Sequence, residues 1–367
     1  MQSRRCRIKQ SNVLLAIAVD AAATLGCNTM ACKATSRIAL ILLAQIVFAA
    51  CTDPVQPTVC GPLDDTLRLN QIQVLGTHNS YHVAKEPPFH PSVAYSHLPL
   101  PEQLAQQGIR HFELDLHKRP GQAFEVFHIP GIDEKTRCPN LQACLQDLRQ
   151  WSDENPCHQP LFVLFEPKDK LDEFKLAGQW DALDAELLQA FPRNRILTPD
   201  DVRGSHPDLR TAITLPDGKG WPTLGAVRGK VVFVMMDQEV DGVVYSQDYK
   251  AGHPKFAGRL MFLFGEPHDP DIAFVKDDNP TDSLDAAKAL ALKGYMLRGT
   301  TDYDPPKRLE SGPRRDAVLA AMHLVTTDWP TPAANGWVVT LPGGKPSRCH
   351  PLTGPVGCTA AAVEALP

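Results

Sequence analysis

The feature of this sequence that most constrains its fold is a set of short apolar segments that end in imidazole, amide or carboxylate side chains. Four such segments occupy residues 72–75, 111–117, 124–128 and 161–166. Because the loops at the carboxyl ends of barrel strands form the active-site face of a parallel barrel, side chains placed in this way are expected to converge. The pattern therefore predicts a polar site at one end of a barrel.

Apolar and amphipathic segments alternate from residue 64 onward. Strands are predicted at 72–75, 111–117, 124–128, 161–166, 230–236, 260–264, 272–275, 295–298 and 324–326. Helices are predicted at 102–107, 141–151, 180–191, 283–292 and 314–322. Strand–helix alternation over this length, without a dinucleotide-type glycine-rich loop, favours a closed barrel over an open sheet. The predicted fold class is α/β, a distorted (β/α)8 TIM barrel that is loop-like at 193–229.

The start of the chain is predicted to lie outside this fold. Two basic residues precede an apolar run at 38–50, which is typical of a secretory signal and short for a membrane span. Met30 is the expected true start, because it lies close to this run. Small residues precede Cys51, as at a lipoprotein cleavage site, so the exported protein is expected to be secreted or lipid-anchored to the cell envelope through Cys51. The expected organisation is a signal segment at 1–51, a barrel at 60–345 and a tail at 346–367.

Charge and cysteine content bear on the partners and the compartment. The chain has a formal charge of −5, and residues 1–50 hold six basic residues and one acidic residue, so the remainder carries −10. Such an acidic surface argues against nucleic acid as a partner, and the sequence indicates no particular protein partner. Six cysteines remain beyond Cys51, an even number that predicts disulfides in an exported chain with fifteen possible pairings. Cys349 and Cys358 bracket a Pro/Gly-rich loop and are the pair most expected to bond.

The carboxylates of the second and fourth segments predict a metal site. Glu113 and Asp115 lie two residues apart on one strand face and can reach a single cation. Asn79 and Glu166 supply two further oxygen ligands of the kind that calcium prefers. The structural alternative is a set of barrel-mouth salt bridges to Arg110 or Lys168.

Two histidines flank these carboxylates. His78 and His128 suit acid–base work on a phosphoester, in which one takes a proton from the nucleophile and the other gives a proton to the leaving group. The alternative is that both are buried core histidines. No Ser, Cys or Asp stands beside either histidine as an obvious nucleophile, so the attacking group is expected to come from the substrate.

The other polar residues near strand ends are assigned either a supporting role or none. Lys168 and Arg298 are predicted to neutralise phosphate oxygens, although a basic residue at a strand end is more often only solvated. His111 and His117 are predicted to be structural and to point away from, or lie beyond, the two carboxylates. Three further strand-end residues have no assigned role: Gln238, Asp302 and Asp328.

These residues resemble the calcium-dependent phosphatidylinositol-specific phospholipases C, in particular an exported bacterial branch found in Streptomyces. The resemblance covers nearly all of the chain after the signal segment. Its most specific motifs are His-Asn-Ser-Tyr at 78–81, Glu-x-Asp at 113–115, His-x-Pro-Gly at 128–131 and Glu-Pro-Lys at 166–168. The sequence departs from the branch at 298–302 and 322–325, where later strands could touch the head group.

The resemblance implies a distorted TIM barrel that cleaves phosphatidylinositol to diacylglycerol and a cyclic or linear inositol phosphate. It implies that His78 and His128 are catalytic. The calcium ligands that it implies are Asn79, Glu113, Asp115 and Glu166. Two alternatives stay open: a glycerophosphodiester phosphodiesterase or sphingomyelinase D-like enzyme, and a non-catalytic surface lipoprotein that binds head groups. The first differs at the first histidine, where the phosphodiesterases have Arg-Gly in place of Asn79-Ser80.

Overall fold

The computed structural model describes residues 60–168, 176–216, 219–302 and 311–364. The predicted signal segment at 1–51, with Met30 and Cys51, lies outside them. The strands of the described chain are β1 (Ile72–Thr77), β2 (His111–Lys118), β3 (Phe124–Val126), β4 (Leu161–Pro167), β5 (Val231–Met236), β6 (Glu239–Val240), β7 (Val243–Val244), β8 (Phe262–Phe264), β9 (Phe274–Asp277), β10 (Met296–Thr300), β11 (Leu324–Thr327) and β12 (Ser347–Cys349).

Eight of these strands form a closed parallel barrel. They pair in the order β1-β2-β4-β5-β8-β9-β10-β11, and β11 pairs again with β1. The predicted (β/α)8 barrel is therefore confirmed. Strand β5 reads Val-Val-Phe-Val-Met-Met and is buried along its whole length, as expected for a parallel strand covered on both faces. The register of β2 on β4 places Asp115 opposite Glu166, so two predicted ligands lie at the same level of the barrel.

Helices cover the outside of the barrel. Those in the described residues are α1 (Leu100–Gln106), α2 (Leu141–Glu154), α3 (Trp180–Ala190), α4 (Pro199–Arg203), α5 (Leu209–Ile213), α6 (Leu224–Val227), α7 (Tyr245–Lys250), α8 (Leu284–Lys293), α9 (Gly312–Ala321) and α10 (Ala360–Val363). Helix α2 begins after Asn140, whose side chain accepts from the Ala143 amide at 2.9 Å, and it turns Leu141, Leu145 and Leu148 toward the core. The stretch at 193–229 is less irregular than predicted, because it contains α4, α5 and α6.

The predicted strand at 124–128 is not a barrel strand. Strand β3 covers only Phe124–Val126 and runs antiparallel to β2, with His117 opposite Glu125. It therefore forms a hairpin with β2 at the rim of the barrel. His128 reaches the site from the loop that follows β3 and not from the end of a parallel strand.

The tail returns to the first strand. Strand β12 pairs antiparallel with β1, and Cys349 is bonded to Cys358 as predicted. Two further disulfides join Cys60 to Cys157 and Cys138 to Cys144.

One arginine ties both ends of the described chain together below the barrel. Arg228 donates to Asp64 Oδ1 at 2.8 Å, to the Cys157 carbonyl at 2.9 Å and to the Val363 carbonyl at 3.1 Å. No helix within the described ranges is long and apolar enough to cross a membrane.

Candidate active site

The carboxyl ends of the barrel strands surround a cavity of about 340 Å³. Seven of the eight residues predicted for the site line it: His78, Asn79, Glu113, His128, Glu166, Lys168 and Arg298. The eighth, Asp115, is fully buried beside Glu166. The structure thus brings together the eight residues that the sequence assigns to the site, whereas the strand-end residue Gln238 lies outside this cavity.

The end of β1 is shaped by a close approach to β2. Gly76 lies opposite His111, where a side chain would collide with the His111 ring and backbone. After this strand, Asn79 adopts a left-handed backbone conformation with φ of 43°, which asparagine tolerates better than most residues. The Ser80 hydroxyl accepts from the Glu113 amide at 2.9 Å and so fixes the turn to β2. These contacts present Asn79 and Glu113 to the same cavity.

Three carboxylates crowd together at the base of the cavity. Oxygens of Glu113, Asp115 and Glu166 lie within 4.8 Å of one another. Burial, together with the charges of Glu166 and Glu113, raises the pKa of Asp115, although Lys168 opposes the shift. Asn79 Oδ1 is buried without a hydrogen-bond partner in the described part of the chain. Crowded carboxylates and an unsatisfied amide oxygen are hard donors, and they fit a calcium ion.

Lys168 contacts the carboxylates directly. Its Nζ lies 2.7 Å from Glu166 Oε1 and 3.1 Å from Asp115 Oδ2. The salt bridges to the barrel-mouth carboxylates that the sequence suggested as an alternative therefore form at Lys168. They do not form at Arg110, which pairs with Glu364 at 3.2 Å on the opposite side of the barrel. An ammonium at this place reduces the repulsion between the two carboxylates.

Arg298 also forms a salt bridge with a carboxylate. It is buried, and its guanidinium donates to Glu113 Oε2 and, at 3.2 Å, to Thr326 Oγ1. Beside it, Lys276 of β9 lines the cavity and pairs with Asp278 at 3.2 Å. Two cationic side chains thus line this side of the cavity, and each is paired with a carboxylate.

His78 is paired with an aspartate that had no assigned role. Its Nδ1 lies 2.8 Å from Asp328 Oδ1, and its Nε2 lies 3.9 Å from Glu113 Oε1. Burial alone would lower the pKa of His78, but the charges of Asp328 and Glu113 outweigh it and raise the pKa to about 9. Asp302 in turn holds Asp328 in place by accepting from its backbone amide.

His128 has a similar partner. Its Nδ1 lies 2.9 Å from Asp133 Oδ2, and a tight turn in which the Asp133 amide donates to the Ile129 carbonyl brings the two together. The same Asp133 oxygen lies 2.9 Å from His82 Nε2. Burial raises the pKa of Asp133, but the hydrogen bonds from His128 and His82 outweigh it and hold that pKa well below its usual range.

His111 and His117 do not point away from the carboxylates. Alternation in β2 puts both on the same face as Glu113 and Asp115, one layer below and one layer above them. His111 is enclosed near Thr326 and Arg298, and His117 Nε2 contacts the Phe127 carbonyl at 2.8 Å. Burial lowers the pKa of each, which agrees with the predicted structural role.

Sequence reasoning missed Asp133, His82, Tyr95 and Lys276. His82 stands one residue after the His-Asn-Ser-Tyr motif, and Asp133 follows a Pro-Gly turn after His128. Proximity to these motifs was the only available signal for both. Tyr95 comes from the loop before α1, and its hydroxyl lies 3.2 Å from His78 Nδ1.

Comparison with protein families gives a match over most of the described chain. The family described as phosphoinositide phospholipase C, Ca2+-dependent, matches residues 67–124 and 118–351. No curated protein gives a significant match to the chain.

Several solved structures share the barrel. The calcium-dependent phosphatidylinositol-specific phospholipase C of Streptomyces antibioticus is 21% identical with a TM-score of 0.55, over 72% of this chain and 95% of that one. A calcium-dependent phosphoinositol-specific phospholipase C from a Pseudomonas species is 18% identical with a TM-score of 0.55, over 78% of this chain and 97% of that one. At these identities the likeness establishes a common fold.

Proposed function

Because this chain belongs to the family of calcium-dependent phosphoinositide phospholipases C, we propose that it cleaves phosphatidylinositol to diacylglycerol and an inositol phosphate. The observation that carries the proposal is the presence, in one cavity, of two histidines that each contact an aspartate and of a crowded carboxylate cluster. Two proton carriers and an oxygen-rich cation site are the components that phosphodiester cleavage needs.

We propose that Asn79, Glu113, Asp115 and Glu166 hold the calcium ion of this family. Calcium, when bound, supplies positive charge that offsets the three carboxylates, lowers the pKa of a nearby hydroxyl and stabilises negative charge on a phosphoryl oxygen. Lys168 and Arg298 lie against the same carboxylates and keep the base of the cavity close to electrical balance.

The two histidines have different surroundings, which suits different tasks. His78 faces both Asp328 and Glu113, whose charges outweigh burial and raise its pKa. Calcium held by Glu113 would offset that carboxylate and lower the pKa of His78, so we assign His78 the proton from the attacking hydroxyl. His128 is assigned the proton that the departing diacylglycerol receives, and Asp133 orients its ring from behind. Each assignment uses the nitrogen that does not face the aspartate partner.

The nucleophile in this proposal is the inositol hydroxyl next to the phosphorylated carbon. The oxygen of that hydroxyl attacks phosphorus and the bond from phosphorus to the glycerol oxygen breaks. His78 takes the proton of the attacking hydroxyl, and His128 gives its own proton to the departing glycerol oxygen. Intramolecular attack has a large advantage in effective molarity over attack by free water. A cyclic inositol phosphate is therefore expected before, or together with, the linear product.

Phosphorus NMR at early times tests this proposal. The cyclic phosphate should appear with calcium and disappear with a calcium-selective chelator, and an analogue without the neighbouring hydroxyl should not be cleaved. Normal cleavage of that analogue, or phosphate left on the lipid, would favour the glycerophosphodiesterase or sphingomyelinase D-like chemistry. Binding of head groups without any product would favour the non-catalytic lipoprotein.

We further propose that the enzyme acts at a membrane surface after export. The predicted signal segment and Cys51 support secretion or lipid anchoring. Globomycin-sensitive processing and metabolic labelling with palmitate distinguish the two, because only a lipoprotein needs the lipid-dependent signal peptidase.

A further inference from the structure

Asp133 lies between two imidazole rings. Its Oδ2 is 2.9 Å from His128 Nδ1 and 2.9 Å from His82 Nε2. Asp133 and His82 are both buried, at 1% and 0% exposure, whereas the His128 side chain is 20% exposed at the cavity. His82 therefore lies behind the aspartate that contacts a proposed proton carrier, and it does not line the cavity itself.

The second nitrogen of His82 also faces an acceptor. Its Nδ1 lies 2.9 Å from the backbone carbonyl oxygen of Tyr95. A carbonyl oxygen only accepts hydrogen bonds, and a neutral imidazole carries one N–H. With one proton on His82 and an ionised Asp133, one of the two contacts would join two lone pairs at hydrogen-bonding distance. An additional proton must therefore lie on either the imidazole or the carboxyl group.

The surroundings place this proton on His82. Hydrogen bonds from two rings hold the pKa of Asp133 well below its usual range despite burial, so the carboxyl group stays ionised. The Tyr95 ring lies 4.6 Å from the His82 ring, and an aromatic ring next to an imidazolium is a favourable contact. His97, also buried, provides a contrast: among the described residues its ring bonds to one acceptor, the His78 carbonyl, and burial lowers its pKa to about 4.

We propose that His82 is a positioning residue for the reaction: a buried imidazolium, protonated on both nitrogens, that keeps Asp133 anionic and thereby keeps a proton on His128 Nδ1. His128 Nε2 is then the nitrogen that exchanges protons with substrate. Because His82 and Asp133 together are neutral, His128 is oriented by a carboxylate without facing its full charge. This inference rests on the proposed function for the role of His128, but the protonation of His82 does not.

Nitrogen-15 NMR of the histidine rings tests the proton arrangement in the calcium-loaded protein at pH 7. His82 should show two protonated ring nitrogens. His323 is a control in the same spectrum, because its Nε2 faces the Asn70 carbonyl and its Nδ1 accepts from the Leu297 amide, so it should show one protonated and one bare nitrogen. A bare nitrogen on His82 would overturn the proposal.

Substitution tests the positioning role. In His82→Gln the amide can still donate to Asp133 but carries no charge. Turnover on phosphatidylinositol should fall about 10- to 100-fold with little change in KM, a part of the roughly 10²- to 10⁴-fold that a positioned acid or base contributes. Because Asp133 then faces His128 with its full charge, the doubly protonated form of the His128 ring should also become more populated in the ring spectrum. His158→Gln is the matched control, since His158 is buried on Ser152, before β4 and away from the cavity.

Turnover of His82→Gln within twofold of wild type, or an equal loss in His158→Gln, would overturn the positioning role. If His82→Gln does not fold, the wild-type spectrum still decides the protonation state, on which the proposal depends. The spectrum requires no substrate. Absence of phosphatidylinositol cleavage by the wild type would therefore refute the proposed function alone, and a bare His82 nitrogen in an active enzyme would refute this inference alone.

Discussion

Asp115 is the residue whose environment depends most on a bound cation. It is fully buried, it faces Glu113 and Glu166, and its neighbours together with burial raise its pKa. The Lys168 ammonium lies 3.1 Å from Asp115 Oδ2, and Lys168 and the Tyr81 hydroxyl oppose the rise in its pKa. Lys168 is shared with Glu166, so without a cation the Asp115 carboxylate is only partly compensated.

Asp115→Asn should separate calcium binding from folding. Calcium affinity should fall at least about 10³-fold, because a pair of unit charges near 4 Å is already worth about 4 kcal/mol at an effective dielectric constant of 20, and calcium carries two charges. The metal-free protein should be no less stable than wild type, since a crowded charge is removed. Calorimetric titration with calcium and urea unfolding measure the two quantities. Asp316→Asn, at an exposed carboxylate, is the control, and equal calcium affinities for the two variants would contradict the assignment.

The proposed proton carriers should be more sensitive to truncation in rate than in stability. His78→Ala and His128→Ala should each lower turnover by roughly 10²- to 10⁴-fold. The melting temperature should change little in His128→Ala, whose ring reaches the cavity, and should fall in His78→Ala, because the buried Asp328 loses its partner. His268→Ala, at an exposed histidine outside this cavity, should leave turnover unchanged. A large loss of stability with a modest loss of rate would show that the substituted ring belongs to the core.

Sequence patterns located the proposed ligands and His78 because those residues stand on or directly after apolar strands, whereas His128 was placed at the end of a predicted strand that stops at Val126 in the structure. They could not assign Asp328 to His78, since strands β1 and β11 are distant in sequence and their pairing is set only when the barrel closes. Asp133 was missed for a related reason. Its role depends on the turn at 129–133, whose geometry follows from backbone hydrogen bonds that side-chain periodicity does not report.

At the level of secondary-structure elements, the direction of β3 was predictable and was overlooked. Only five residues separate β2 from β3. Parallel neighbours need a crossover of a dozen or more residues, so this connection permits only a hairpin. The long strands β2, β4 and β5 were identified correctly from their apolar content, whereas β6, β7 and β12 are only two or three residues long and are too short to show a period.

Two of the disulfides close loops of very different length. Cys60–Cys157 spans 97 residues and Cys138–Cys144 spans 6. If each bridge acts by restricting the unfolded chain, replacing the first pair by serine should cost about 4.7 kcal/mol and the second about 2 kcal/mol. Urea unfolding of the two double variants measures this difference. A larger loss of unfolding free energy for the Cys138–Cys144 variant would mean that this bridge stabilises the folded state, for example by fixing the chain that follows Asp133.

The stability of the whole molecule should fall in mild acid. Burial lowers the pKa of His158 and of His350 to about 4. Between pH 6.5 and 4 the unfolded chain binds protons at these positions that the folded protein does not, so the free energy of unfolding decreases as the pH falls. Each site contributes about 3 kcal/mol over this range.

Urea unfolding at pH 7.5 and pH 5 measures the effect, and His350→Gln should show a smaller decrease than wild type. An equal decrease in both proteins would mean that His350 is protonated in the fold. The control is His268→Gln, which changes an exposed histidine and should retain the wild-type difference.

Arg228 has a practical consequence for handling the enzyme. Because it bonds Asp64, Cys157 and Val363 together, both ends of the described chain leave from the side where the barrel strands begin, opposite the cavity. A surface linker, fluorescent protein or affinity tag fused at either end would therefore leave the mouth of the barrel free to meet a lipid bilayer. The nearness of the two ends also makes the chain suited to circular permutation, with residues 60 and 364 joined by a short linker and new ends opened in an exposed loop.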